Sequence, residues 1–358
     1  MRVAAVLGLS ILPACGPRDT PRPNVPTADQ TPGSQSIDPQ SAKSAGPAPK
    51  SDSPVSTKQN ARRPEKIDAK HLPNAYRLHA NVITGGQPAG DAAFAELAAL
   101  GVKTVISVDG AEPEVALAKT HGLRYVHLPH GYDGVPAERG LQLAKAVRDL
   151  PGGVYIHCHH GKHRSPAAGA VACVEAGLLN SDEGLAVLEA AGTSPNYRGL
   201  YNSVRQARPV DAKQLDDTPN DFPEKAELPP LAEAMVAIEH LHDQLKALAK
   251  DDWRPTKEQA DVDPAHEALL LREQFEELLR TDAAKQQPAP FTKLLVESET
   301  TAAELETALR PSAGETPDGD DRKARVARAN AALEQFTKRC AACHQQFRDP
   351  PLGEKPGQ

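Results

Sequence analysis

Long apolar runs are absent from this 358-residue chain, and so are internal repeats and an excess of positive charge. No run approaches the roughly 20 apolar residues that a membrane-spanning helix needs. The net charge of −7 gives no indication of nucleic-acid binding. Hydrophobic residues make up only 39% of the chain, and much of the deficit lies in the stretch 16–64. The length still allows two domains, each with its own core.

The most informative segment is 156–165, which reads Ile-His-Cys-His-His-Gly-Lys-His-Arg-Ser. A strand-like run, 154–156, precedes it, and an alanine-rich helical stretch, 167–178, follows. Cys158 is therefore predicted at the N-terminus of a helix, where free N–H groups and the helix dipole favour a thiolate.

Two residues that close this segment add to the chemistry. The planar fork of Arg164 is spaced to return to the mouth of the loop and bind two oxygens of a phosphate. The hydroxyl of Ser165 can donate to the sulfur when it departs as a leaving group. The alternative is a buried cysteine in a chance histidine-rich turn.

These residues resemble the signature of the protein tyrosine and dual-specificity phosphatases, which is His-Cys, five residues, then Arg and Ser or Thr. The resemblance implies a phosphocysteine mechanism that needs no cofactor, with Cys158 as nucleophile and Arg164 as phosphate clamp. It also implies that Ser165 assists dephosphorylation and that His157 orients the loop and tunes the thiol. The remaining loop residues are predicted to bind substrate: His159, His160, Gly161, Lys162 and His163.

The cationic and protonatable side chains of this loop suggest a substrate class. We expect phosphorylated proteins or small polyanions as substrates, with polyanions favoured below pH ~6.5, where histidines become charged. A surface role for some of these histidines is an equal alternative.

The phosphatase family also needs a general acid on a mobile loop upstream of the nucleophile. Its usual Trp-Pro-Asp is often followed by Gly-Val-Pro, and this chain reads Gly-Tyr-Asp-Gly-Val-Pro over 131–136. Asp133 is therefore the predicted acid. Asp109 is the rival, although an Asp-Gly pair is more typical of a turn. Asn196, in a Ser-Pro-Asn that also resembles the family, is predicted to help hold the loop, or to be a turn residue.

Strands and helices alternate along this region. Strand-like runs and helical patterns follow one another at 82–84, 92–100, 102–108, 114–120, 125–128, 137–150 and 154–157. This alternation predicts an α/β fold with a mainly parallel sheet, flanked by helices and with the site at the carboxyl end of a strand.

The N-terminus resembles an export signal. A basic residue, an apolar core and Leu-Pro-Ala-Cys at 12–15 resemble a bacterial lipobox, in which Cys15 is lipidated. A plain signal peptide with a chance cysteine is the alternative. The proline- and serine-rich stretch that follows cannot bury enough apolar surface to fold and is predicted to be a tether. The protein is thus expected in the periplasm or cell envelope, anchored to a membrane surface.

The C-terminal region carries Cys340-Ala-Ala-Cys343-His344, the attachment pattern of c-type haem. Two thiols one helical turn apart can form thioether bonds to haem, and the adjacent histidine can bind the iron. A zinc site would need a second ligand pair, and a redox dithiol would need a strand–helix setting.

Four amphipathic segments separated by breaks surround this motif and predict an antiparallel four-helix bundle. Their arrangement resembles the cytochrome c-prime family, which implies one covalent haem and a redox partner. Met235 on the first helix is a candidate sixth ligand of the iron, or a core residue. His240 and His242 are alternative ligands.

The sequence therefore predicts an exported cysteine-dependent phosphatase fused to a c-type cytochrome. The alternative is an electron-transfer or gas-binding cytochrome whose phosphatase-like domain only binds anionic ligands. The predicted organisation is a signal peptide with a lipobox-like site at 1–15, a disordered tether at 16–70, a phosphatase domain at 71–208, a linker at 209–228 and a cytochrome bundle at 229–350. Cys173 is left over, and no pair remains for an obvious structural disulfide.

Overall fold

The computed structural model describes residues 63–255, 261–311 and 319–355. Within these ranges no helix is both long and apolar enough to cross a membrane. The predicted signal peptide and Cys15 lie outside the described residues, as does the predicted tether up to residue 62. The described part of the predicted tether, residues 63–70, contains one short strand, Glu65–Lys66.

A six-stranded mixed sheet organises the first part of the described chain. Its order is β1-β2-β3-β6-β4-β5, antiparallel from β1 to β3 and parallel from β3 through β6 and β4 to β5. The strands are β1 Glu65–Lys66, β2 Tyr76–His79, β3 Val82–Gly85, β4 Val102–Ser107, β5 Arg124–His127 and β6 Gly153–His157.

Helices flank this sheet, and apolar cores lie on both of its faces. Successive strand residues point to opposite faces, so Tyr155 and Ile156 on the central β6 enter two different apolar clusters. The helices are α1 Gly90–Ala99, α2 Val115–Thr120, α3 Ala137–Asp149, α4 Arg164–Glu175, α5 Ser181–Ala191 and α6 Arg198–Gln206. The predicted α/β fold with a mainly parallel sheet is confirmed; strands β1 and β2, which add two antiparallel pairings at one edge, were not predicted.

The stretch predicted as a linker, 209–228, packs against the α/β core. It contains α7, Ala212–Asp217, and buries Leu215 and Phe222. The N–H of His127, on the edge strand β5, donates to the carbonyl of Pro223 over 2.7 Å. The proline and charge content of this segment is typical of a linker, but the segment packs against the edge of the sheet.

Among the described residues after the α/β part, four long helices and one short helix share one apolar cluster. They are α8 Pro230–Lys250, α9 Pro264–Arg280, α10 Asp282–Lys285, α11 Ala289–Leu309 and α12 Asp320–Cys343, followed by a π-helical turn, His344–Arg348. Prolines at the first turns of α8, α9 and α11 suit positions where an N–H has no helical partner. The predicted helical segments are present, and the antiparallel haem-binding bundle stays a prediction.

Candidate active site

The loop after β6 carries the predicted nucleophile. Strand β6 ends at His157, α4 begins at Arg164, and we call residues 158–164 the signature loop. Gly161 has a φ of +70°, and a Cβ there would collide with the backbone of Gly85 and Gly86. A glycine is therefore required for the loop to pass this close to the end of β3.

Cys158 lies at the base of this loop and is only 4% exposed. Its Sγ is 3.3 Å from the Oγ of Ser165, whose hydroxyl also donates to the carbonyl of Gly85 over 2.9 Å. The single hydroxyl proton has two acceptors within reach, so Ser165 can turn its donor to the sulfur when a negative charge develops there.

Asp109 anchors both the loop and its arginine. One carboxylate oxygen accepts from Arg164 over 2.8 Å and from the N–H of His159 over 2.6 Å, and the other accepts from the N–H of Gly110 over 2.6 Å. Burial raises the pKa of Asp109, but Arg164 and the backbone donors outweigh it and lower the pKa to about 2. Asp109 is therefore an ionised anchor, and the rival role as general acid does not fit this geometry.

Arg164 is buried and stays charged. Burial disfavours its charge, but Tyr132, Asp109 and Cys158 outweigh that effect and keep its pKa above the usual value. The guanidinium carbon lies 4.5 Å from the ring centroid of Tyr132, within the range of a cation–π contact. This contact places the loop 129–136, which we call the acid loop, directly beside the predicted phosphate clamp.

His157 sits beneath the loop as a neutral side chain. Its Nε2 lies 2.7 Å from the hydroxyl of Tyr125, and burial lowers its pKa to about 4 against the opposing charge of Asp109. A neutral imidazole held by a tyrosine suits an orienting role better than that of a cation beside the thiol.

Two histidines of the signature loop have lowered pKa values, although the sequence suggested cationic side chains around the loop. Burial, followed by the charges of Lys162 and Arg164, lowers the pKa of His163 to about 4. Burial and His159 lower the pKa of His160. The lowered pKa values of these two histidines disfavour the expected charging near pH 6.5, and the preference for polyanions stays a prediction. Lys162 is exposed, and its carbonyl accepts from the hydroxyl of Thr193 over 2.6 Å.

The asparagine that holds the signature loop is Asn74, which the sequence did not reveal. Its side-chain amide donates to the carbonyls of Gly161 and Ala191, each over 2.9 Å. Asn196 is exposed instead, and its own N–H donates to Ser194 Oγ over 3.3 Å, as in a turn. Asn74 follows a proline and has a φ of 51°, so a turn signal was present, but nothing local linked it to the loop.

Asp133 lies buried on the acid loop, between β5 and α3. Its Oδ2 is 2.6 Å from the Nζ of Lys355, and its carbonyl accepts from the N–H of Leu352 over 3.0 Å. The guanidinium carbon of Arg348 lies 4.1 Å from the ring centroid of Tyr132. The C-terminal segment thus contacts the predicted acid and its neighbour.

The predicted haem ligands lie together where α12 ends. Cys343 is buried, Cys340 is partly buried one turn earlier, and both thiols are free. Burial, reinforced by Arg348 and His242, lowers the pKa of His344 to about 3. Two thiols at the edge of an apolar cluster and a neutral imidazole are the donor set of a covalently attached haem, so the residues fit that group.

The candidate sixth ligands occupy different places on α8. Met235 packs at the periphery of the apolar cluster. His242 stacks edge-on against Phe336, at 5.2 Å between ring centroids, and its Nε2 lies 3.0 Å from the hydroxyl of Thr337. His242 also acts electrostatically on His344, and the choice among Met235, His240 and His242 as sixth ligand stays a prediction.

Comparison with known proteins gave structural matches only; no family model and no curated protein matches the chain. P. aeruginosa TpbA matches with a TM-score of 0.36 and 23% identity, over 44% of this chain and 96% of that one. A variant of TpbA was solved in complex with pTyr and matches with a TM-score of 0.36 and 22% identity, over the same shares of the two chains.

A candidate phosphatase (DUF442) from Shewanella putrefaciens CN-32 also matches. Its TM-score is 0.33 and its identity 16%, over 38% of this chain and 95% of that one. Identities and TM-scores this low assign no function to the chain.

Proposed function

We propose that the α/β part of this chain is a cysteine-dependent phosphomonoester phosphatase of the protein tyrosine or dual-specificity type. The observation that carries the proposal is the arrangement around Cys158. Its sulfur lies at the N-terminus of α4 with Ser165 Oγ 3.3 Å away, and Arg164 follows on the first turn of the same helix, held by Asp109. Nucleophile, phosphate clamp and leaving-group donor thus lie on one rigid frame.

In the first step, the Cys158 thiolate attacks phosphorus and the bond from phosphorus to the leaving oxygen breaks. Arg164 and the N–H groups at the start of α4 bind the phosphoryl oxygens as charge develops on them. Asp133 gives its proton to the leaving oxygen and becomes a carboxylate. The products of this step are a free alcohol or phenol and a phosphocysteine.

In the second step, water attacks phosphorus and the bond from sulfur to phosphorus breaks. Asp133 takes the proton of that water, and the Ser165 hydroxyl, already within 3.3 Å, donates to the departing sulfur. Inorganic phosphate leaves and both Cys158 and Asp133 return to their starting states. No metal or organic cofactor enters either step.

Hydrolysis of p-nitrophenyl phosphate by the full-length protein tests this proposal. We expect turnover in the wild type and none in Cys158→Ser. Cys173→Ser is the matched control, since this second buried cysteine lies on the far part of α4 and has no role in the steps above. Turnover that survives in Cys158→Ser would exclude Cys158 as the nucleophile, and no turnover in the wild type would leave the alternative, in which this part of the chain only binds anionic ligands.

We further propose that the C-terminal helical part is a c-type cytochrome. Cys340 and Cys343 would hold the haem through two thioether bonds and His344 would bind the iron, with Met235, His240 and His242 as candidates for a further ligand. Haem bound there would supply one-electron chemistry or gas binding. The motif at the end of α12 and the apolar cluster that it borders support this proposal.

Covalent attachment gives a direct test. The protein produced in an exporting bacterial host should gain the mass of one haem, which denaturation does not remove, and Cys340→Ala with Cys343→Ala should lose it. Absorption spectra of His242→Ala and Met235→Ala should then identify the sixth ligand. A wild-type mass without haem would contradict the proposal.

Export and lipid anchoring complete the proposed function. Attachment of c-type haem requires export, and the lipobox-like sequence ending in Cys15 would place the protein in the periplasm at a membrane surface. Cys15→Ala should move the protein from the membrane fraction to the soluble fraction of the envelope. An unchanged distribution would exclude Cys15 as the anchor.

A further inference from the structure

Three side chains with metal-binding atoms meet where the signature loop faces α8. His159 and His160 follow the nucleophile, and Asp243 lies on α8. Their ligand atoms all lie within 4.8 Å of one another, and the two imidazole centroids are 4.2 Å apart. The Nε2 of His159 is 3.0 Å from Oδ2 of Asp243. None of the chemical steps proposed above uses this cluster as a unit.

The spacing suits a single small cation. Bonds of about 2.0–2.2 Å from a tetrahedral ion to nitrogen and oxygen place its ligand atoms roughly 3.3–3.6 Å apart. The observed separations, from 3.0 Å to at most 4.8 Å, bracket that range. Small side-chain rotations would therefore bring the three atoms onto one ion.

We propose that His159, His160 and Asp243 form a binding site for a divalent transition-metal ion such as Zn²⁺. Two imidazoles and one carboxylate are ligands that zinc and its neighbours accept, whereas Mg²⁺ and Ca²⁺ prefer sets made of oxygen alone. The site joins a loop of the α/β part to a helix of the C-terminal part. A bound ion would therefore restrain the signature loop against α8.

The fourth coordination position has a protein candidate. His240 lies one turn before Asp243 on α8, so both side chains share a face of the helix. Its ring centroid is 6.5 Å from that of His159, and its side chain is exposed and free to change rotamer. Either His240 or a water molecule completes the tetrahedron.

The positive charge of Lys246 disfavours binding of the ion. Its ammonium group pairs with Oδ1 of Asp243, the oxygen that His159 does not contact. The charge of Asp243 is thus balanced when no ion is bound, and a cation entering the site meets a second positive charge close by. Removing that charge should raise the affinity for the ion, a result that a plain ion-pair cluster does not predict.

Calorimetric titration of the full-length protein with Zn²⁺ tests the proposal. Thiol groups elsewhere also bind zinc, so the informative quantity is the difference between variants that share those thiols. We expect His160→Ala and Asp243→Asn to bind one ion fewer than the wild type, or to bind it at least about tenfold more weakly. The exposed His266 on α9 provides the matched control, and His266→Ala should bind like the wild type.

Lys246→Gln should bind the same ion more tightly than the wild type, and this gain cannot arise from misfolding. Wild-type stoichiometry and affinity in Asp243→Asn would overturn the proposal, as would an unchanged affinity in Lys246→Gln. Circular dichroism of each variant checks that the helices are retained.

Discussion

The ammonium group of Lys355 lies 2.6 Å from Oδ2 of Asp133, so the last described residue of the chain holds the proposed general acid. The pair is partly exposed, with 24% and 11% of the two side chains accessible to solvent. Leu352 and Arg348 contact Asp133 and Tyr132 from the same segment. To donate its proton, the Asp133 carboxyl has to be protonated and free of this ammonium, so the contact restrains the catalytic step.

Removing the lysine should therefore release the acid. In Lys355→Ala we expect kcat on alkyl phosphates to rise by up to about fivefold, since a partly exposed ion pair contributes up to about 1 kcal/mol. The gain should be smaller on p-nitrophenyl phosphate, whose leaving group needs little protonation. Lys355→Arg, which keeps the charge, should behave like the wild type. A lower kcat in Lys355→Ala would show that the lysine assists the acid.

Substitutions of Asp133 and of Asp109 should lower phosphatase activity in different ways. Asp133→Asn should lower kcat on alkyl phosphates by roughly 10²–10⁴-fold, with a smaller loss on p-nitrophenyl phosphate. Asp109→Asn removes the partner of Arg164 and a loop anchor, so both substrate types should lose activity equally. Steady-state kinetics on the two substrates measures this difference, and equal losses in Asp133→Asn would contradict its role as acid.

Glu175 should make stability depend on pH. Burial raises its pKa from 4.5 to about 7, and its Oε2 has no hydrogen-bond partner among the described residues. A raised folded-state pKa gives a contribution to stability that is full below the unfolded value and is lost as the pH rises through about 7. The free energy of unfolding should therefore fall between about pH 4.5 and 7 more in the wild type than in Glu175→Gln.

Urea denaturation at several pH values measures this effect. The exposed Glu138 on the facing helix α3 provides the control, because Glu138→Gln should keep the wild-type dependence. Parallel curves for the wild type and Glu175→Gln would show that Glu175 does not titrate in this range.

The sequence predicted the elements of the site that are local in the chain. The run from Val154 through the alanine-rich helix places Cys158, Arg164 and Ser165 within one strand–loop–helix unit, and local patterning decides such a unit. The same holds for the motif at the end of α12. The helix nevertheless begins at Arg164, three residues before the predicted start at 167. The residues that end the signature segment form the first turn of the helix.

The contacts that complete the site join distant parts of the chain. Asn74 reaches Gly161, Asp109 reaches Arg164 and Lys355 reaches Asp133. No local periodicity encodes these pairs, since they depend on strand order and on where the C-terminal segment packs. The lowered pKa of His163 likewise follows from burial. The many charged residues of its loop gave no indication of that burial.

Direct detection of the covalent intermediate tests the central claim that Cys158 accepts the phosphoryl group. Ser165→Ala should slow the second step, because the departing sulfur loses a donor 3.3 Å away. Rapid acid quenching of this variant with an aryl phosphate, followed by peptide mass spectrometry, should find a phosphoryl group on Cys158. Turnover of the same substrate with the phosphoryl group on another residue, or on none, would contradict the account.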